Sequence, residues 1–458
     1  MSGCSTVSGL WGGGDQAAEG KPGFVTGFLG AVAADEPQAA VVGRQMLAAG
    51  GNAADAAVAM TSALWVTLPS RAGIGGGGAC LVHRGDGGGK GVPDAVMFLP
   101  QAPGSTAGAD RPAAVPMMAR GMFLLNARFG RARFESILTT AEQMAREGTP
   151  ASRALVRDLA VVAGPLAADP GARSVFFPGG RLIAEGATMV QPELAGMLGQ
   201  LRRAGVGDLY SGALAAQFVA AVAQAGGAIS PADLRAALPK VMTPLLLDGP
   251  NEAAVSFLPL PADGGLAAAA AYRVLAADPA ALDAAKARGI AAAAEYRRTG
   301  AMAEAILNGN PPTATLPALP ASTSFAVLDR EGNAVSCALT MGNLFGTGRM
   351  APGTGILLAA SPTALPPPLL AAGMVTYRRN NAMRVVAGGA GQDGAPVAVA
   401  RALAAALADK GKVARLDPAG APEPGRANVI ACNGSAAAPE TCAWTTDPRG
   451  FGLATGSN

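Results

Sequence analysis

The histidine content of this chain limits the chemistry open to it. His83 is the single imidazole in 458 residues. A zinc site built on two or three imidazoles is therefore excluded, and Ser-His-Asp or Cys-His catalysis would depend on this residue alone. Because His83 lies in a short strand-like run, we predict that it is a strand or surface residue and not a general base. We expect neither a metal site nor a cofactor.

A hydrolase without a catalytic histidine has another route to a nucleophile. A Ser, Thr or Cys at a newly made chain terminus is activated by its own α-amine, whose pKa of about 7.7–8.0 leaves a neutral fraction at physiological pH. Ser322 suits this role, since it follows the Pro-rich segment 310–321 and begins the alternating run 322–329. Taken alone, this pattern favours the simpler interpretation that Ser322 and Thr323 are ordinary residues at the beginning of a strand.

A run of glycines at 73–78 could suggest phosphate binding. It lacks the Lys-Ser/Thr pair that completes a P-loop and the spaced glycines that open a dinucleotide site. We therefore predict that this run allows one backbone to pass close to another.

The composition indicates a large, layered core. Half of the residues are hydrophobic, 15% are charged and 4% are aromatic, so the apolar content is mostly Ala, Val and Leu. Such residues suit helices packed closely against a buried sheet. The net charge of +3 arises from 35 basic and 32 acidic residues that are scattered along the chain. Without a basic stripe, we predict no nucleic-acid partner.

The distribution of turn residues predicts the order of the elements. Residues 1–24 read as a flexible leader, 52–67 as a helix and 116–308 as mostly amphipathic helix. The runs 322–329 and 334–340, joined by a turn, predict a hairpin. A further strand at 383–387 leads through glycines into a helix at 397–408. Strands followed by helices in this way fit a layered α+β sandwich.

No segment offers the ~20 consecutive apolar residues of a membrane span. The nearest candidate, residues 53–68, carries Asp55 and reads as a buried helix. The opening Met-Ser-Gly-Cys is similar to the end of a bacterial lipoprotein signal, which predicts lipidation at Cys4. The alternative is a chance cysteine in the leader. A lipid anchor would be the only membrane contact and would place the protein in the periplasm or on the outer surface.

Two further cysteines point to the same compartment. Cys432 and Cys442 flank a turn-rich segment between two strand-like runs, so opposed strands would bring them within bonding range. A disulfide here would imply an oxidising compartment, whereas the alternative is two thiols on neighbouring strands. Cys80 and Cys337 lie in apolar runs and are predicted to be core residues.

Several segments resemble, in the same order, the signature segments of the γ-glutamyltranspeptidase family. They cover nearly the whole chain after the leader and are residues 33–40, 48–59, 73–78, 115–116, 129–130, 145–148, 190–194, 210–212, 225–227, 233–234, 345–348 and 352–358. The resemblance implies the α+β, four-layer αββα sandwich of N-terminal-nucleophile hydrolases. It also implies self-cleavage into a large fragment, 25–321, and a small one, 322–458, which form one intertwined domain and remain partners.

The resemblance further implies the roles of individual residues. A gapless count back from Asp329 places the nucleophile at Ser322, and a slip of one residue would give that role to Thr323 instead. Thr340, eighteen residues after Ser322, matches the threonine that assists the nucleophile. The Gly-Gly pair that binds the oxyanion in the family corresponds to Gly391 and Gln392, where backbone N–H groups would still act. Gly342 and Asn343 would lie beside the substrate.

The residues that recognise the γ-glutamyl head group are absent. Leu99 replaces the arginine that clamps its carboxylate, and Ser324 replaces a histidine two residues after the nucleophile. The segment 359–364 lacks the asparagine pair and the acidic residue of the family, and the apolar run 369–372 replaces paired serines. Loss of one partner of a buried Arg-carboxylate pair costs on the order of 3 kcal/mol.

Two functions fit this pattern. The chain is an N-terminal-nucleophile amidohydrolase or acyltransferase that acts on a small amide or peptide without the free amino-acid head group, or it is a catalytically silent homologue with a binding or structural role. We predict negligible turnover of glutathione or γ-glutamyl anilides, and turnover at rates ordinary for the family would show that another arginine, Arg71 or Arg349, acts as the carboxylate clamp. A denaturing gel distinguishes the two functions, since two bands favour the self-cleaving enzyme and one band favours the silent homologue.

Overall fold

A computed structural model describes residues 29–86, 88, 91–316, 322–408, 420–433 and 441–456. The predicted leader with Cys4, and Ala321 on the far side of the predicted cleavage point, lie outside the described residues. The α-helices of the described part, α1 to α15 in chain order, are Pro37–Ala48, Ala53–Thr67, Pro69–Ala72, Met118–Phe129, Phe134–Glu147, Arg153–Ala167, Pro170–Phe176, Pro192–Ala204, Asp208–Ser211, Ala213–Gln224, Pro231–Ala236, Asp263–Ala277, Leu282–Thr299, Ala303–Asn308 and Ala395–Ala408.

The strands of the described part are numbered β1 to β17 in the same way. They are Gly30–Ala34, Gly77–His83, Asp94–Phe98, Thr149–Pro150, Thr188–Met189, Lys240–Met242, Leu245–Asp248, Ala253–Phe257, Ser322–Asp329, Ala334–Thr340, Met350–Ala351, Ile356–Leu357, Ala371–Tyr377, Ala382–Ala390, Arg426–Cys432, Cys442–Thr446 and Leu453–Gly456.

Two large sheets form the centre of the molecule. The first has the strand order β17-β1-β9-β10-β2-β3-β6, and the second has the order β16-β15-β14-β13-β8-β7. The predicted hairpin is confirmed as β9 and β10, which pair antiparallel in the interior of the first sheet. Because β14 is an interior strand of the second sheet, the two segments predicted to carry chemistry come from the middle of both sheets.

Three apolar clusters show the layer order. One joins the outer face of the first sheet to α1, α2, α4, α5 and their neighbours. A second joins the second sheet to α12, α13, α14 and α15. The third lies between the sheets and is built largely from small side chains such as Ala31, Ala79 and Ala338. These clusters confirm the predicted αββα sandwich, and the small residues explain how the two sheets approach each other closely.

The glycine run acts as the sequence predicts. A Cβ atom on Gly75 would lie 2.2 Å from the carbonyl oxygen of Leu357, and one on Gly76 would lie 2.2 Å from that of Thr340. The run therefore allows β2 to pass against β10 and the segment near Leu357. Helix α2, which the short helix α3 separates from the glycine run, is buried along its whole length, as predicted, and its N-terminus carries a capping box of Asn52 and Asp55.

The middle of the chain is less helical than its pattern suggests. Helices α4 to α14 account for most of residues 116–308, but β6, β7 and β8 interrupt them. Strand β8, Ala253–Phe257, is a buried run of five residues with Ser256 as its one polar member, and such a short run has no periodicity that separates a buried strand from a buried helix. Its pairing with β13 is decided by residues more than one hundred positions away.

The described part of the chain contains two disulfides. Cys432 and Cys442 are bonded across β15 and β16, where they are direct register partners. Cys80 and Cys337 are buried, as expected of core residues, but they are also bonded to each other across β2 and β10. Sequence reasoning missed this second bond because the two cysteines are 257 positions apart.

Within the described residues, no helix combines the length and the apolar character needed to cross a bilayer. The same part of the chain contains no cluster of three or more His, Cys, Asp or Glu side chains that could hold a metal ion.

Candidate active site

Ser322 is the first residue of β9 and is only 2% exposed. Alternation along the strand places it on the face shared with Ser324 and Ala326, which looks toward the second sheet. Its Oγ is buried and has no hydrogen-bond partner among the described residues. Buried hydroxyl groups without partners are rare in folded proteins, and a catalytic role is one of the reasons for which they occur.

Thr340 is the last residue of β10 and the direct cross-strand partner of Ser322. Its side-chain oxygen accepts a hydrogen bond of 2.9 Å from the backbone N–H of Gly342. Gly342 has a φ of 75°, a conformation that glycine adopts without strain. The turn that follows β10 thus fixes the position of the Thr340 hydroxyl beside the beginning of β9.

Gly391 and Gln392 lie where β14 ends, on the opposite sheet. Both have positive φ angles, 100° and 54°, and they begin the tight turn that leads into α15. A Cβ atom on Gly391 would lie 2.0 Å from the carbonyl oxygen of Pro424, so only glycine fits at this position. A positive φ at Gln392 costs on the order of 1 kcal/mol, and strain of this kind concentrates at functional sites.

A cavity of about 530 Å³ joins these groups. Its lining includes Ser322, Asn343, Gly391 and Gln392, which come from both sheets and from the turn after β10. The volume lies in the range of ligand sites, so we refer to this space as the nucleophile cavity.

Arginines in the nucleophile cavity are already committed to acidic partners. Arg71 donates two hydrogen bonds, of 2.7 and 2.6 Å, to the carboxylate of Asp158. Arg449 pairs with Asp447 at 2.6 Å and with Glu423 at 3.1 Å. These pairs leave no unopposed guanidinium among the three arginines that line the cavity, since the third, Arg426, pairs with Glu423 as well.

The other alternative clamp, Arg349, is also engaged. It forms a two-point ion pair with Asp110, with distances of 2.9 and 2.7 Å, and donates a hydrogen bond to the carbonyl of Ala225. Its guanidinium is therefore held by the segment around Asp110 and the end of α10.

Thr323 points to the other face of β9 and has a different environment. Its hydroxyl donates to Asp35 at 3.0 Å, and the same carboxylate accepts from the backbone N–H of Ser324 and from the side chain of Asn428. Asp35 also lines the nucleophile cavity. Asp35 and Asn428 were not predicted as site residues, because no local pattern shows that they meet β9 across 289 and 104 positions.

The position predicted for the carboxylate clamp lies in a second cavity. Leu99, Thr340 and Gly342 line a space of about 420 Å³ that we call the acyl-side cavity. Leu365 contributes to the walls of both cavities, so they are neighbours. The structure therefore places Leu99 and Thr340 in the walls of one cavity, and the described residues of its lining include no arginine.

His83 lies far from this centre. It pairs with Ala334 at one end of β2 and β10, whereas Thr340 pairs with Gly77 at the other, six residues or ~20 Å away. Its Nε2 lies 3.1 Å from the carbonyl of Asn381, and burial lowers its pKa to about 4. His83 is thus a buried, neutral strand residue, in agreement with its predicted strand position.

The sheets and the site define an N-terminal-nucleophile hydrolase fold. The structure resembles that of cephalosporin acylase from Bacillus halodurans, with a TM-score of 0.73 and 22% identity over 93% of this chain and 95% of that one. A family model described as Gamma-glutamyltranspeptidase matches residues 39–305 and 290–415. The chain belongs to the γ-glutamyltranspeptidase family.

Curated relatives include both hydrolases and acylases. The Acylase ACY 1 proenzyme of Pseudomonas sp. (strain V22) is 30% identical over 402 residues, 75% of this chain and 70% of the relative. The Glutathione hydrolase proenzyme of Escherichia coli (strain K12) is 26% identical over 386 residues, 72% of this chain and 65% of the relative. The match to Glutathione hydrolase 2 of Arabidopsis thaliana spans 45% of that protein's length.

Proposed function

We propose that this protein is a self-cleaving amidohydrolase or acyltransferase in which Ser322 is the nucleophile. The observation that carries this proposal is the buried Ser322 Oγ, which has no hydrogen-bond partner among the described residues. Ser322 is the cross-strand partner of Thr340, and it lines one cavity together with Gly391 and Gln392. Membership of a family whose curated relatives are named hydrolases and acylases supports the same reaction class.

Self-cleavage would proceed through an ester. The Ser322 Oγ attacks the carbonyl carbon of Ala321, the C–N bond breaks and the nitrogen of Ser322 becomes a free amine. Water then hydrolyses the ester to leave a carboxylate on Ala321. Thr340, at the register position of Ser322, supports the attacking oxygen.

The freed amine would then act as the base in turnover. It accepts the hydroxyl proton of Ser322 as the Oγ attacks the substrate amide, and it returns that proton to the leaving amine. The backbone N–H groups near Gly391 and Gln392, at the N-terminal end of α15, stabilise the oxyanion. Water completes hydrolysis of the acyl-enzyme, and an amine acceptor gives transfer instead.

We propose further that the substrate lacks the γ-glutamyl head group. Leu99 occupies the clamp position, and the guanidinium groups of Arg71 and Arg349 are paired with Asp158 and Asp110. A zwitterionic head group would lose its hydration without gaining these partners. An acylase among the relatives is consistent with a different acyl specificity.

The two disulfides support a location in an oxidising compartment, the periplasm or the outer surface. Such bonds are rare in proteins that remain in a reducing cytosol.

A denaturing gel under reducing conditions tests the proposal. Cleavage before Ser322 would divide the chain into 321 and 137 residues. We expect two bands for the wild type and a single band for Ser322→Ala, which supplies no oxygen for the attack. A single wild-type band would favour the catalytically silent homologue. N-terminal sequencing of the small fragment distinguishes cleavage before Ser322 from cleavage before Thr323.

A further inference from the structure

We propose that the acyl-side cavity receives an uncharged, apolar acyl chain, so that the substrates are amides of medium-chain acids. This inference rests on the proposed function, since it concerns the acyl group that Ser322 would transfer. It adds the chemical class of that group, which the loss of γ-glutamyl recognition alone does not specify.

The acyl-side cavity is close to the nucleophile. Thr340 lines it and is the register partner of Ser322, while Leu365 forms a wall shared with the nucleophile cavity. When the carbonyl carbon of a substrate amide lies at the Ser322 Oγ, one of its two substituents therefore points toward the acyl-side cavity and the other toward the nucleophile cavity. The acyl chain and the leaving amine would occupy the two spaces separately.

The walls of the acyl-side cavity are largely aliphatic and thioether groups. They include Met97, Leu99, Met117, Met242, Leu365 and Leu370. Three of these are methionines, whose flexible side chains adapt to ligands of varied shape. A volume of about 420 Å³ has room for on the order of ten carbon-sized groups, taking ~30 Å³ for each.

The charged groups in this lining do not offer a head-group site. Asp263 is buried and paired with Arg297, which also donates to the carbonyl of Pro367 at 2.7 Å. Lys240, the one cation among the described lining residues, is exposed. A neutral acyl chain is therefore stabilised by its burial in this cavity. A negatively charged chain would find only the exposed Lys240 as a partner, and solvent weakens that ion pair.

The experiment is a chain-length series on processed wild-type protein. The 4-nitroanilides of acetic, butyric, hexanoic and octanoic acid are compared by kcat/KM, together with the adipic half-anilide, which matches hexanoic acid in length but ends in a carboxylate. We expect an increase of up to about four-fold per methylene, which corresponds to burial of about 0.8 kcal/mol each. A flat or falling series overturns the proposal, and so does a preference for adipoyl over hexanoyl.

Two variants sharpen the test. Leu99→Trp fills the acyl-side cavity and should move the preferred chain length toward acetyl. Val161→Trp introduces the same indole side chain into the wall of the nucleophile cavity and should leave the slope of the series unchanged, since Val161 is 76% exposed there. An identical chain-length profile in Leu99→Trp and the wild type contradicts the assignment.

Failure of the acyl inference and failure of the proposed function are distinguishable. Turnover that requires Ser322 but ignores chain length overturns only the acyl inference. If no amide is hydrolysed, calorimetric titration of the wild type with octanamide and acetamide still decides, because binding needs no turnover. Equal affinity for the two amides, or no binding of octanamide, overturns the inference.

We also infer, from a different observation, that the two fragments remain covalently joined after cleavage. Cys80 and Cys337 are bonded across β2 and β10 and lie on opposite sides of the proposed cleavage point. Forming this bond releases two protons and two electrons, which a disulfide-bearing oxidant of an oxidising compartment accepts. The Cys432–Cys442 bond lies within the small fragment and cannot serve this purpose.

Gels with and without reductant test this second inference, which also rests on the proposed cleavage. We expect one full-length band without reductant and two bands with it, and two bands in both gels for Cys80→Ala. The Cys432→Ala/Cys442→Ala variant is the control and should behave as the wild type. Two wild-type bands in both gels overturn the link. If cleavage itself fails, mass spectrometry of unreduced peptides still decides, and free thiols at Cys80 and Cys337 overturn it.

Discussion

Ser322 and Thr340 face each other across adjacent antiparallel strands, the first residue of β9 against the last of β10. Both are buried in the interior of the first sheet, and the Thr340 oxygen is held by the N–H of Gly342. Two hydroxyl-bearing residues that are eighteen positions apart in the sequence are therefore neighbours in the sheet. They lie at the end of the first sheet that faces Gly391, the residue directly after β14.

The first prediction follows from that pairing. Thr340→Ala should slow self-cleavage by roughly five- to twelve-fold, because one hydrogen bond near the attacking oxygen is worth about 1–1.5 kcal/mol. Thr340→Ser keeps the hydroxyl and should retain most of the rate. The time course of fragment appearance after refolding measures this, and equal rates for the Ala and Ser variants would remove Thr340 from the site.

The second prediction concerns Thr323. Its hydroxyl binds Asp35 on the opposite face of β9, so Thr323→Ala should leave the cleavage position unchanged. It should lower the free energy of unfolding by about 1–3 kcal/mol, since a buried hydrogen bond to a carboxylate is lost. Denaturant titration measures the loss and terminal sequencing the position. Loss of cleavage in a folded Thr323→Ala variant would make Thr323 the nucleophile.

The third prediction distinguishes the contribution of the backbone N–H groups in the oxyanion site from that of the Gln392 side chain. Gln392→Gly should retain activity near the wild-type level, because the N–H remains and the φ of 54° is easier for glycine. Gly391→Ala should reduce kcat by roughly 10²–10³-fold, since its Cβ would collide with the Pro424 carbonyl and displace the turn. The matched assay is amide hydrolysis at saturating substrate, and a large loss in Gln392→Gly would show that the side chain itself acts.

The fourth prediction concerns acid stability. Burial lowers the pKa of His83 to about 4, below its usual value near 6.5, so the unfolded chain binds more protons between these values. The wild type should therefore lose stability as the pH falls from 6.5 toward 4, by up to about 3 kcal/mol from this group.

His83→Gln is the variant that isolates this effect. Its amide can still donate to the carbonyl of Asn381, but it does not titrate, whereas the carboxyl groups that titrate in the same range are shared by both proteins. Urea titrations at pH 7 and pH 4.5 should show a smaller loss for the variant. Equal losses would contradict the assignment of His83 as a neutral, buried residue.

The fifth prediction concerns the family substrate. Glutathione and γ-glutamyl anilides should be turned over negligibly even by fully processed protein, because Leu99 replaces the clamp and Arg71 is bound to Asp158. Measurement beside a glutathione hydrolase of the family at equal concentration provides the comparison. Comparable turnover, abolished in Arg71→Lys, would show that Arg71 leaves Asp158 to bind the substrate carboxylate.

Much of the site could be predicted from the sequence because it depends on residues that are close together along the chain. The hairpin of β9 and β10 follows from two alternating runs and a turn, and the close backbone contacts at 73–78 follow from the glycine run. The single histidine excludes whole classes of mechanism by itself, since folding cannot supply a second imidazole. The predicted pair of Cys432 and Cys442 is likewise ten residues apart on one hairpin.

Only the tertiary structure decided what these segments meet. The pairing of Cys80 with Cys337, the contact of Asp35 with Thr323, and the neutralisation of Arg71 by Asp158 join positions 257, 288 and 87 residues apart. Periodicity and turn signals report the conformation of one segment, while partners at this distance are chosen by the packing of two sheets against each other. The sequence therefore indicated the candidate site residues, and packing decided that the acyl-side cavity beside them is lined largely by apolar side chains.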